Sequence, residues 1–228
     1  MANLKASFLG LIRNKWFCLF CLIGGCLYAT IFGFLYVDDP LTAGLEPVKI
    51  LGVLFELTMT ATSSVIGKTY VWGIRVWGVV QTVGLASNVL YVYNRYGYKS
   101  KAGKICLAVA AGCIVTCNFI PSTETFSLQL VAHWSMALLF AILNAAALGL
   151  FLLSASKKSK RVLATFIAFA GMLAAMIALL TAFGKSGAIE GIPTWGSYLI
   201  LFLLGYTNLY KACLPKTEPV PEREAVTV

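Results

Sequence analysis

Apolar residues fall into seven long runs, at 16–37, 48–66, 71–93, 104–120, 127–153, 162–183 and 194–213, separated by short polar stretches. Each run is close to the 17 to 25 residues, roughly, that a helix needs to cross about 30 Å of hydrocarbon at 1.5 Å per residue. The pattern predicts an all-α polytopic transmembrane bundle of seven helices. Six are possible, because 48–66 and 71–93 are both interrupted by polar residues, Glu56 in the first and Arg75, Gln81 and Asn88 in the second.

Small residues recur every four positions at Gly25, Ala29 and Gly33 and again at Ala141, Ala145 and Gly149, where backbones can approach closely. The run 162–183 is small nearly all round, and on that ground it is expected to be the central helix. Residues 1–214 read as one transmembrane domain, and the polar, proline-rich 215–228 as a disordered cytoplasmic tail. Run 16–37 follows Lys5, Arg13 and Lys15 as a signal peptide would. It stays apolar through LYATIFGFLYV, so it is expected to remain in the protein.

Composition agrees with the pattern. With 59% hydrophobic and 12% charged residues and a mean hydropathy of +0.83, the chain is too apolar for a water-soluble domain of 228 residues. The net charge of +9 comes from residues concentrated in loops and ends, which suits anionic membrane lipids as partners and not nucleic acid. Loop 94–104 carries Arg95, Lys99, Lys101 and Lys104, and loop 154–161 carries Lys157, Lys158, Lys160 and Arg161; loop 121–126 between them carries only Glu124. The two basic loops and the C-terminus are therefore expected in the cytoplasm. Seven spans then leave Lys5, Arg13 and Lys15 on the wrong side and the acidic DDPLTAGLEP inside; six spans remove the conflict.

Candidate chemistry is sparse. The stretch NFIPSTETFSLQLVAHWSMALLF contains the single histidine, His133. Gln129, His133 and Asn144 share one helical face, and Asn118, about as far before the 121–126 loop as His133 is after it, is the expected hydrogen-bond partner. Gln81 and Asn88 form a second polar stripe. Glu56, placed near mid-membrane on a helical reading, is expected to pair with Arg75 or Lys68, since an unpaired carboxylate there is costly. The polar cluster and ligand candidates are thus Glu56, Arg75, Gln81, Asn88, Asn118, Gln129, His133 and Asn144. No catalytic residue, metal site or cofactor is expected: there is no GxSxG or HExxH, and no second histidine. The seven cysteines, six of them within apolar runs, read as packing residues.

The run SKAGKICLAVAAGCIVTCNFIPSTETFSLQLVAHWSMALLF resembles the central part of the DRAM-like (damage-regulated autophagy modulator) family. There a helix ends in Asn-Phe, a short loop follows, and the next helix carries His, a small residue and Phe at helical spacing; Asn118, Phe119, His133, Ala137 and Phe140 match. PTWGSYLILFLLGYTNLY is similar to the family's last segment. The resemblance covers about residues 100–210. It implies six spans and a non-catalytic role in sensing, scaffolding or lipid handling, with membrane lipids and a small ligand or protein as partners. A small transporter or channel built on Glu56, Gln81, Asn88 and His133 is the alternative reading of the residues.

Overall fold

The structure is a computed structural model that describes residues 7, 9–34, 48–50, 55–57, 73–120, 128–183 and 187–215. Loop 121–126 with Glu124, the acidic 38–47, Lys5, Lys68 and nearly all of the tail lie outside the described residues. Six α-helices are described: α1 Lys15–Phe34, α2 Gly73–Arg95, α3 Lys101–Phe119, α4 Leu128–Ser156, α5 Lys160–Phe183 and α6 Gly187–Tyr206. Three of them, over 101–119, 128–156 and 160–182, are long and apolar enough to cross a membrane. A 3₁₀ turn, Lys211–Cys213, follows α6.

The second apolar run is not a helix where it is described. Val48–Ile50 (β1) and Phe55–Leu57 (β2) pair antiparallel, with Val48 opposite Leu57, Lys49 opposite Glu56 and Ile50 opposite Phe55. Hydropathy alone cannot separate a helix from a strand in such a run. The β-branched Val48 and Ile50 and the aromatic Phe55 are what favour strands. The last apolar run also begins earlier than expected: α6 starts at Gly187 and carries Pro193 inside it.

Local chemistry sets the helix ends. Asn14 caps α1, its Oδ1 accepting from the backbone N–H groups of Trp16 and Phe17 at 2.9 and 3.0 Å. Beyond α2 the chain turns through Gly97 at φ 63°, with Tyr98 N–H donating to Tyr93 O at 2.8 Å and Gly97 N–H to Asn94 O at 3.2 Å. That pair of bonds is a Schellman stop, and glycine takes its left-handed position without strain. Ser100 then opens α3, accepting from Gly103 N–H at 3.0 Å.

The helices form a closed ring in chain order, α6 returning to pack on α1 and also on α2. Successive helices run antiparallel, so the starts of α1, α3 and α5 and the ends of α2, α4 and α6 gather at one end. That end carries Arg13, Lys15, Arg95, Lys99, Lys101, Lys104, Lys157, Lys158, Lys160, Arg161 and Lys211, and no carboxylate among the described residues. Glu190, in the first turn of α6, belongs to the opposite end.

Burial corrects the choice of central helix. Of the span of α5, only 11% is buried, against 39% for α3. Small side chains permit close approach but supply little area to bury. The centre is α2, whose Gln81, Leu85, Asn88, Val89, Val92 and Tyr93 are all at most 3% exposed. The core continues through Leu148, Phe151 and Leu152 of α4 and Tyr198, Leu201 and Leu204 of α6. Large apolar side chains such as Trp16, Phe20, Ile105, Leu138, Ile167, Ile177 and Leu199 face outward.

Candidate functional site: a polar seam and a basic end

Two rungs of hydrogen bonds tie α1, α2 and α6. Gln81 Nε2 donates to Gly25 O at 3.1 Å, and Tyr198 Oη donates to Gln81 Oε1 at 2.8 Å. Seven residues on, Asn88 Nδ2 donates to Cys18 O at 2.9 Å and to Gly84 O at 2.7 Å, and Tyr206 Oη donates to Asn88 Oδ1 at 2.6 Å. The spacing is a consequence of helix geometry. Residues 18 and 25 on α1, 81 and 88 on α2, and 198 and 206 on α6 are each about two turns apart, so one triple contact repeats. The Tyr198 hydroxyl sits against the backbones of Gly25 and Gly84; a Cβ at Gly84 would lie 2.5 Å from it. Glycine at both positions is what admits the phenol.

At the other end His133, 6% exposed, reaches back to the last turn of α3. Its Nδ1 lies 2.6 Å from Ile120 O and 3.2 Å from Cys117 O. Both partners are acceptors, so Nδ1 carries the hydrogen and donates to them. The carbonyls closing a helix have no partner within it, and the imidazole supplies one. The Cys117 thiol donates to the His133 carbonyl at 3.5 Å and lies 3.6 Å from Nδ1.

The expected His133–Asn118 bond is not made. Asn118 turns to α2, where its amide abuts Gly78, and neither its Nδ2 nor its Oδ1 has a hydrogen-bond partner although the residue is only 5% exposed. The expected polar face of α4 also comes apart: His133 is buried, Gln129 is exposed, and Asn144 lines a small groove with Thr82, Ala111 and Phe140. Glu56 stands opposite Lys49 in the hairpin ladder instead of within a helix, and Arg75 lies in the first turn of α2.

Sequence reasoning missed the tyrosines and Arg95. Tyr93 Oη donates to Ala147 O at 2.6 Å, and Tyr96 Oη to Leu204 O at 2.9 Å. Burial raises the Tyr96 phenol above its ordinary range, with Arg95 opposing, so the hydroxyl stays a donor just past the end of α2. Arg95 closes α6 as His133 closes α3, its guanidinium donating to Gly205 O at 2.5 Å and Thr207 O at 3.2 Å. The signal was present in the two-turn spacing of Tyr198 and Tyr206, which repeats that of Gln81 and Asn88. Beside Arg95 a cavity of about 400 Å³ is lined by Arg13, Tyr91, Asn94 and Arg95.

The seven cysteines are free thiols, and Cys18, fully buried, points its Sγ at the carbonyls of Leu11, Ile12 and Ser87 at 3.7 to 3.8 Å. Gln81, Asn88 and His133 line neither the groove at Thr82 nor the cavity at Arg95.

These features define a helical protein with helices able to cross a membrane and a polar interior given over to joining helices. Compared with known protein families, with curated proteins and with solved structures, the chain matches none.

Proposed function

We propose that the chain is a multi-pass membrane protein of DRAM-like type, crossing the bilayer six times with both termini in the cytoplasm, and that it acts on or through membrane lipids without catalysis. The observation that carries this reading is the segregation of charge: eleven cationic side chains and no carboxylate at one end of the ring among the described residues. Basic residues beside spans are retained on the cytoplasmic side, where anionic lipids attract them. The antiparallel pairing of α1 with α2 supports this reading, since Arg13 and Lys15 then share that end with Arg95, and a six-span arrangement has no charge conflict. Six helices among the described residues also suit the number the family resemblance implies.

A lipid-directed role is favoured over transport because the polar groups a conducting path would use are occupied. Gln81 and Asn88 are 1% and 0% exposed and bonded to neighbouring helices, and His133 is bonded to the end of α3. Single cysteines at Ser7, Ser159 and Ser122 in a cysteine-free background test the placement. Ser7 and Ser159 are expected to be labelled from the cytoplasm and Ser122 from the opposite side; labelling of Ser7 and Ser159 from opposite sides sinks the six-span arrangement. A solute flux through reconstituted protein that Gln81→Leu abolishes would overturn the lipid-directed role.

A further inference from the structure

We infer that the cavity lined by Arg13, Tyr91, Asn94 and Arg95 is a binding site for a phosphate-bearing anion, and that at this depth its ligand is the headgroup of an anionic lipid of the cytoplasmic leaflet. The inference rests on the membrane placement proposed above. Arg95 and Arg13 belong to elements that the lower rung of the polar seam fixes together: Asn88 of α2 is bonded to Cys18 of α1, and the chain reaches Arg95 seven residues after the one and Arg13 five residues before the other. At 1.5 Å per residue Arg95 sits about 10 Å beyond that rung, and Arg13 lies two residues before the start of α1, so both are past the ends of the apolar segments.

The donors at the cavity are mostly unspent. Arg95 uses one N–H from each terminal nitrogen on Gly205 O and Thr207 O, which fixes the plane of its guanidinium and leaves a second N–H on each. The Arg13 guanidinium makes no hydrogen bond or ion pair among the described residues, and the Asn94 side chain is exposed. Tyr91 forms a wall, held by stacking on Tyr206 at 5.5 Å between ring centroids. Two guanidinium groups and an amide line one cavity, and arginine contacts phosphate oxygens in pairs of parallel bonds. No carboxylate competes at this end among the described residues. A volume of about 400 Å³ accommodates a headgroup, not merely a chloride ion. Trp16 and Phe20, exposed on α1 just above Arg13, offer apolar surface on which the acyl chains of such a lipid would lie.

The test is the unfolding temperature of the full-length protein in a neutral detergent, titrated separately with phosphatidylcholine, phosphatidic acid and glycerol 3-phosphate. A ligand that binds the folded form raises this temperature in a saturable way. We expect saturable stabilisation by phosphatidic acid and none by phosphatidylcholine. Arg13→Gln is the decisive variant because the Arg13 guanidinium has no other polar partner among the described residues; it should weaken the apparent affinity about tenfold, the effect of losing one charged hydrogen-bonding partner. Lys158→Gln, which removes the same charge away from the cavity, should leave the affinity unchanged. Stabilisation by glycerol 3-phosphate at the same concentrations, lost with Arg13→Gln, identifies a soluble phosphate as the ligand; stabilisation by the lipid alone identifies the headgroup. Equal weakening by Arg13→Gln and Lys158→Gln, no weakening by Arg13→Gln, or no stabilisation by either phosphate overturns the site. Cysteine labelling reports on the membrane placement separately, so failure of the placement and failure of the site are distinguishable.

Discussion

The seam between α1, α2 and α6 and the junction between α3 and α4 solve the same problem with different completeness. In the seam both amides are bonded across three helices, each with a tyrosine closing the triangle. At the α3–α4 junction His133 finds the end of α3, while the neighbouring Asn118 is buried against Gly78 with no partner. A repeated, fully bonded rung locks the register of three helices. A histidine bonded to the end of one helix beside an orphaned amide joins only two helices and leaves a polar group unsatisfied. The seam is therefore the rigid part of the molecule, and substitutions there should cost more.

Gly84→Ala should have the largest effect. Its Cβ would meet Tyr198 Oη at 2.5 Å and Cys21 O at 3.1 Å, so either α1 moves away or the phenol leaves Gln81. Overpacking of this kind costs about 1–3 kcal/mol, with up to about 1.7 more for a lost helix-to-helix bond. Gly112→Ala, whose Cβ would meet nothing within 4 Å, is the control and should not destabilise. Reversible unfolding in bicelles measures both. Equal losses would mean that the seam is not tightly packed.

Asn88→Leu comes next, at about 2 kcal/mol, since it removes the bond to Cys18 O of α1 and leaves the half-buried Tyr206 hydroxyl without its acceptor. The size of the triangle can be isolated by adding Tyr206→Phe. The double variant should be less destabilised than the sum of the two single ones, by roughly 1 kcal/mol. Additive losses would show that Tyr206 does not depend on Asn88.

His133→Ala should cost less, about 0.6 to 2 kcal/mol, the range for one hydrogen bond inside a membrane bundle. The loss removes the side-chain donor to Ile120 O and Cys117 O, leaving Cys117 O with the Ile120 N–H, so amide exchange should rise in the last turn of α3 and not in the seam. Faster exchange in α2 instead would place the histidine's role elsewhere.

The hydrophobic pattern located the helices 73–95, 101–119, 128–156 and 160–183 within a few residues, because helix length and apolar content are properties of the sequence alone. It also marked Gln81, Asn88 and His133 as buried polar residues, and all three are. It did not find their partners, and the reason is physical. Gln81, Asn88 and His133 bond chiefly to backbone carbonyls of other helices, and Tyr93, Tyr96 and Arg95 do the same. A carbonyl is present at every residue and leaves no mark in the sequence, so pairing side chain with side chain led to Asn118 for His133. Glu56 was misplaced for another reason: the run 48–66 has the apolar content of a span, while its β-branched residues pair as a hairpin.

The smallest effect is expected at Asn118, and its sign is opposite to that of the others. Both polar atoms of this side chain are buried and unpartnered, so the folded state bears the desolvation of an amide without a compensating bond. Leucine has nearly the same size, lacks the polar atoms, and would lie against Gly78 where the amide now lies. Asn118→Leu should therefore leave stability unchanged or raise it by up to about 1 kcal/mol. The same geometry fixes how the change combines with the histidine. Because His133 bonds to Ile120 O and Cys117 O and not to the amide, Asn118→Leu and His133→Ala should add to within about 0.5 kcal/mol. A loss above 1 kcal/mol for Asn118→Leu alone, or a double variant much more stable than the sum, would show that Asn118 turns to His133 in the membrane, and the junction would then resemble the seam.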